Sequence, residues 1–148
     1  MALEFVQLGN VLVNRWSGQV TVNDVDVAFQ IAAKAHNLHG PISNIAILAE
    51  GMKMPGLDAM ERMKRDQEKM LLFHRSVHYL ILVGGFTASR AISMVVSILT
   101  SGTRGMMTFE KTGKDAVLRA ESYGPLKTGH ETIYQQLKAF GVPSNRMA

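Results

Sequence analysis

The sequence predicts an α/β domain: a mixed, mostly parallel sheet of about five strands opened by a hairpin, with about four helices and a further C-terminal helix. Three observations predict it. A turn signal separates two β-prone runs at the start. Short β-prone runs then alternate with helical stripes. No internal repeat or low-complexity stretch interrupts that alternation.

The two opening runs are Glu4–Gln7 and Val11–Trp16, with Leu8-Gly9-Asn10 between them. Gly-Asn favours a hairpin turn because glycine accepts positive φ. Thr21 is placed to cap the next helix, with Asp24 three residues on as a weaker capping-box partner. Val25, Ala28, Phe29 and Ala32 then recur at helical spacing, and Gly40-Pro41 stops the helix. Ile42–Ala49 reads as a central strand covered on both faces. Glu50–Gly56 is a loop, and Leu57–Arg75 a long helix with Met60, Met63 and Met70 among its apolar positions.

Val77–Val83 is the next strand, broken by Gly84-Gly85. Thr87 is a candidate cap for a helix running to about Thr100, with Ala88, Ala91, Ile92, Val95, Val96 and Leu99 inward and Gly102 at its end. Met106–Glu110 is the last strand and Gly113–Glu121 a helix. His130–Phe140 is the terminal helix, with Ile133, Leu137 and Phe140 on one stripe. Strands separated by helices imply right-handed crossovers. Residues 4–141 are expected to form one domain and 142–148 a flexible tail.

Composition limits the function. Of 148 residues, 47% are apolar and 19% charged, enough to build a core without staples. There is no cysteine, which excludes disulfides, thiolate metal sites and cysteine nucleophiles and suits a cytoplasmic setting. The start carries no basic, apolar leader pattern, and no apolar run approaches the roughly 20 residues a membrane span needs. The net charge is +4, but Arg62, Lys64, Arg65 and Lys69 are interleaved with Glu61, Asp66 and Glu68. That mixture reads as a solvated helix face, so nucleic acid is not expected as a partner.

The element order resembles the STAS fold, and more closely the SpoIIAA-like family of stand-alone domains. The features that carry the resemblance are the hairpin with Trp16-Ser17-Gly18, the helix opening Thr21-Val22-Asn23-Asp24-Val25, and the strand Tyr79–Gly84 leading to a helix. The run Phe109-Glu110-Lys111-Thr112-Gly113-Lys114-Asp115-Ala116 adds to it, and the likeness covers about residues 4–121. In that family the loop after the third strand carries a phosphorylatable serine or threonine, where added charge at a helix N-terminus switches partner binding. The matching segment here, Ala49 to Leu57, contains no Ser, Thr or Tyr. The resemblance therefore implies the fold without that switch.

Five of the ten methionines, Met52, Met54, Met60, Met63 and Met70, fall in one loop and helix. Methionine adapts to irregular apolar partners. At helical spacing it is more often core, so Met60, Met63 and Met70 are read as core, whereas Met52 and Met54 in the loop are read as surface. The expected contact loop is Met52, Lys53, Met54 and Gly56, with Asp58, Arg62 and Arg65 at its rim.

Other chemistry is thinner. His36 and His39 end a helix, His74 and His78 straddle a helix-to-strand junction, and His130 is isolated; no set of three ligands assembles, so no metal is expected. Gly84-Gly85-Phe86-Thr87 and Ser101–Gly105 are weak anion cradles without phosphate-loop spacing. Ser17-Gly18 and Ser101-Gly102 lack a nucleophile elbow, and Glu50 and Asp58 are not a demonstrable acid pair. The sequence thus predicts no enzyme and no cofactor. It predicts a non-catalytic interaction or signalling module that binds a protein partner or a second copy of itself as a homodimer. The alternative is a carrier for a small apolar, lipid-like ligand, implied by the similarity of SpoIIAA-like domains to CRAL-TRIO lipid-binding domains. A closed apolar cavity distinguishes the two.

Overall fold

A computed structural model describes residues 2–82, 89–90, 92–93 and 105–148. The hairpin is β1 (Leu3–Leu8) and β2 (Val11–Trp16), paired antiparallel with Leu8 opposite Val11. The turn is Gly9-Asn10, and Gly9 has φ +62°, while among the described residues no non-glycine has positive φ. Glycine at the first central position alone is the II′ pattern, whose twist matches the strands.

Helix α1 (Val22–His39) starts at Thr21 with a complete capping box: Thr21 Oγ1 accepts from the Asp24 N–H, and Asp24 Oδ2 accepts from the Thr21 N–H at 2.9 Å. Thr21→Ala is expected to cost about 1 kcal/mol, readable as a lower urea midpoint with an unchanged slope. The helix ends at Gly40, φ +75°. Strand β3 (Ile42–Leu48) is buried at every position, as a central strand covered on both faces must be.

Helix α2 (Leu57–Phe73) ends two residues earlier than expected, and β4 (His74–Ile81) begins three residues earlier. The strand pairs Ile42 with His74 and then Ser43 with Ser76, so Arg75 is an extra residue in a bulge. Plain alternation would put His74 on the face shared by Ser76 and His78. The bulge re-aims it to the opposite face, a recurrent use of such irregularities. Strand β5 (Met107–Glu110), helix α3 (Gly113–Ser122) and helix α4 (His130–Ala139) follow.

Strand order in the five-stranded sheet equals chain order, β1-β2-β3-β4-β5, and every pair after the hairpin is parallel. Val11, Val13, Ile45, Ile47 and Leu80 face α3 and α4, with Ile133 and Leu137 fully buried against them. Leu12, Ala46 and Leu48 face α1 and α2. The terminal helix therefore packs on its own sheet.

Residues 142–148, expected to be a loose tail, pack as well. Ser144–Arg146 make a single 3₁₀ turn, Val142 and Met147 join the α3–α4 core, and the Lys114 N–H donates to the Met147 carbonyl at 2.8 Å. Arg146 donates to the Ile81 carbonyl at 3.1 Å and to that of Lys111. Buried Val142 and Met147 supply the contact that the polar appearance of the segment hides.

The end of the predicted strand at Val83, the Gly84-Gly85 break, the Thr87 cap and most of the helix to Thr100 lie outside the described residues, as do Ser101 to Arg104 of the second anion cradle. Ser89, Arg90, Ile92 and Ser93 within that span are helical, and Ile92, expected inward, is exposed. Among the described residues no helix is long and apolar enough to cross a membrane.

Candidate functional site

A cavity of about 210 Å³ lies between the sheet and the α1–α2 pair. Leu12, Ala46 and Leu48 form its floor, Phe29 comes from α1, and Met63 and Met70 come from α2. Phe5, on the edge strand, lines it and is 44% exposed, so it stands at a rim. An apolar wall of this kind follows from two amphipathic helices laid over one face of a strand layer.

A row of polar side chains crosses the apolar floor. Trp16 Nε1 donates to Asn14 Oδ1 at 2.8 Å, and Asn14 Nδ2 donates to Asn44 Oδ1 at 2.6 Å. Asn44 Nδ2 meets His74 Nε2 at 3.2 Å, and His74 Nδ1 meets the Met70 carbonyl at 3.0 Å. Both ends fix the direction. An indole N–H can only donate, and a backbone carbonyl can only accept. Each asparagine is thereby oriented, and His74 carries its proton on Nδ1 and accepts through Nε2. Asn14, Asn44 and His74 are all buried. Burial lowers the His74 pKa, the Met70 hydrogen bond works against that, and the nearby His36 imidazole adds to the lowering. The neutral ring is the form the chain requires.

Three more polar side chains line the cavity, and one of them, Gln67 on α2, donates through Nε2 to the Lys64 carbonyl at 3.0 Å. Asp66, on α2, is buried and its Oδ1 accepts from Arg65 Nε at 3.3 Å. Tyr79 stacks on Phe109 with centroids 5.6 Å apart, and burial pushes its phenol up to about 12. It is therefore an uncharged hydroxyl at any working pH.

The opposite face holds a second buried polar row. Arg75 Nε donates to Ser43 Oγ at 3.0 Å, Ser43 pairs with Ser76, Ser76 with His78 Nε2 at 2.8 Å, and His78 Nδ1 with Thr108 at 2.6 Å. A serine beside a histidine is the contact a nucleophile and its base make. Here Ser43, Ser76 and His78 are each fully buried and the Ser76 oxygen is shared with Ser43, so no substrate reaches it. Burial, then the Arg119 charge, pushes His78 down to about 4. This row knits β3, β4 and β5 together. His74 and His78, four residues apart, serve different faces.

The expected contact residues divide. Met54 is exposed, but Met52 is half-buried, packs against Leu48 and lines the cavity. Lys53 is exposed and tied through its N–H to the Gly18 carbonyl at 2.8 Å. Gly56 caps α2, and Asp58 accepts from the Ala59 N–H at 2.8 Å. Arg62 bridges to Asp26 of α1 at 2.7 Å, and Arg65 turns to Asp66. Met63 and Met70 line the cavity and Met60 packs beside Leu48. The asparagines, Trp16, His74 and Tyr79 were not among the predicted site residues. The available signal was an asparagine inside each of two apolar strand runs, a poor strand former where water is absent.

No family model matches the chain. No curated protein matches it either. The functional reading therefore rests on this geometry.

Proposed function

We propose that the protein is a binding domain for a small, mostly apolar molecule held between its sheet and the α1–α2 pair. The observation that carries this reading is the cavity of about 210 Å³, walled by aliphatic, methionine and aromatic side chains. A dry cavity of about 150 Å³ is known to hold benzene, so this volume suits one ring with a short substituent. Five methionines in the wall, Met52, Met63, Met70, Met106 and Met107, would adapt to an irregular occupant.

The test is the native mass of the protein purified gently from its own cells. The expected result is a chain carrying a small added mass, lost on denaturation. Ala46→Leu puts a larger side chain on the cavity floor and is expected to abolish the added mass while the far-UV spectrum stays unchanged. A bare chain that no small aromatic stabilises against heat would refute the reading.

A second reading is a STAS-like interaction or signalling module. Its support is the sequential five-stranded mixed sheet and two exposed apolar side chains, Met54 at 44% and Leu57 at 80%, beside Lys53. Such side chains at one helix end suit a partner or a second copy of the chain. The same native mass decides, since a whole-number multiple of the chain or an added protein mass favours this reading.

A further inference from the structure

The cavity has a polarity of its own, set by which hydrogen bonds its walls have already used. An asparagine amide has two N–H donors. In the row from Trp16 to His74, Asn14 spends one on Asn44 and Asn44 spends one on His74. Each keeps a second N–H with no partner among the described residues. Both side chains are buried and both line the cavity. The Tyr79 hydroxyl lines the same space and also has no hydrogen-bond partner among the described residues.

The directions in the row cannot be reversed to turn those donors into acceptors, because Trp16 and the Met70 carbonyl fix both ends. Each asparagine oxygen keeps a second lone pair, but it already holds one hydrogen bond; the groups of this row left wholly unpaired among the described residues are the two amide N–H donors. A buried donor without a partner is costly, and an occupant that supplies an oxygen removes that cost.

Charge is disfavoured in both signs. The Asp66 carboxylate lines the cavity, so an anion entering the apolar enclosure would meet a like charge. Arg65 at 3.3 Å already offsets part of that charge, so a cation would gain less from it than it loses in shedding its own water.

We propose, resting on the reading of this cavity as the binding site, that its ligand is an uncharged small aromatic or alicyclic molecule bearing one hydrogen-bond-accepting oxygen, a ketone, amide or alcohol, directed at the Asn14 and Asn44 N–H groups. Carboxylic acids and amines of the same size are disfavoured.

Four probes of matched size separate the possibilities on the intact protein: acetophenone, cumene, benzoate and 1-phenylethylamine, each titrated near neutral pH by calorimetry. Acetophenone is expected to bind about tenfold tighter than cumene, the worth of a net buried hydrogen bond, with benzoate and the ammonium ion weaker than both. Its carbonyl stretch is expected to move to lower frequency on binding. Asn44→Val is expected to erase the preference for acetophenone while cumene still binds; should that variant not fold, the probe series and the carbonyl shift on the unaltered protein decide alone. Equal binding of acetophenone and cumene, or tightest binding of benzoate or the ammonium ion, overturns the inference and leaves the cavity reading standing. Failure of all four probes to bind removes both.

Discussion

Taking the protein from neutral pH to about pH 4 is expected to remove about 3 kcal/mol of folding stability through His78 alone. His78 is fully buried, and its pKa is pushed down to about 4 by burial and, secondarily, by Arg119. In the unfolded chain the same ring titrates near 6.5. Below that pH the unfolded state takes up a proton that the folded state refuses. Stability is therefore flat above about pH 6.5, falls as the pH drops, and levels off below about pH 4, where the folded ring is charged too. His74 acts in the same direction, because burial lowers its pKa as well.

Its effect has a structural form. A charged His74 would present Nε2–H to the Asn44 amide, donor against donor, and the row across the cavity floor would have to break at that point. Urea titrations across this range measure the slope. His78→Gln keeps a group able to bond Ser76 and Thr108 but cannot take the proton, and is expected to flatten the slope by close to one proton. Equal slopes for the two proteins would show that His78 does not stay neutral in the fold.

The elements that were legible in the sequence are those whose signals are local. The Gly9-Asn10 turn, the Thr21–Asp24 box and the isoleucine-rich β3 each need only a few neighbouring residues to declare themselves. The boundary between α2 and β4 was not legible, since the sequence continues with good helix formers to Phe73 and then presents His74-Arg75-Ser76, polar residues that give no strand period. What makes them a strand is pairing with Ile42 and Ser43, more than thirty positions away in the chain. The cavity was half legible. The methionines were visible as a cluster, but Met52 was expected outward, because a loop position says nothing about Leu48, the buried strand residue it packs against. The asparagines are meaningful only as a pair on neighbouring strands, in register through Leu12 opposite Asn44 and Asn14 opposite Ala46. Register is a tertiary fact.

Leu137→Ala is expected to cost about 3 kcal/mol, within the usual range for emptying a fully enclosed leucine site. Leu137 is fully buried in the core formed with Val11, Val13, Ile133 and Met147. The site cannot readily close over the void. Helix α3 already approaches so nearly at Gly113 that a Cβ there would sit 3.1 Å from Leu137 Cδ1 and 3.0 Å from Met147 Cε. The backbone of that helix start is held further by the Lys114–Met147 hydrogen bond. The matched control is Leu118→Ala on α3, where the side chain is 45% exposed, and a change within about 0.5 kcal/mol is expected. Urea unfolding of both variants at two protein concentrations is the measurement. Because α4 packs on its own sheet, the large loss at Leu137 is expected to be the same at either concentration. A midpoint that climbs with concentration would mean that the helix is exchanged between chains, and a small loss would mean that α4 is a peripheral addition to a core complete without it. The packed 142–147 segment argues against the second outcome, since Met147 reaches the same core as Leu137 and Gly113 leaves room for both.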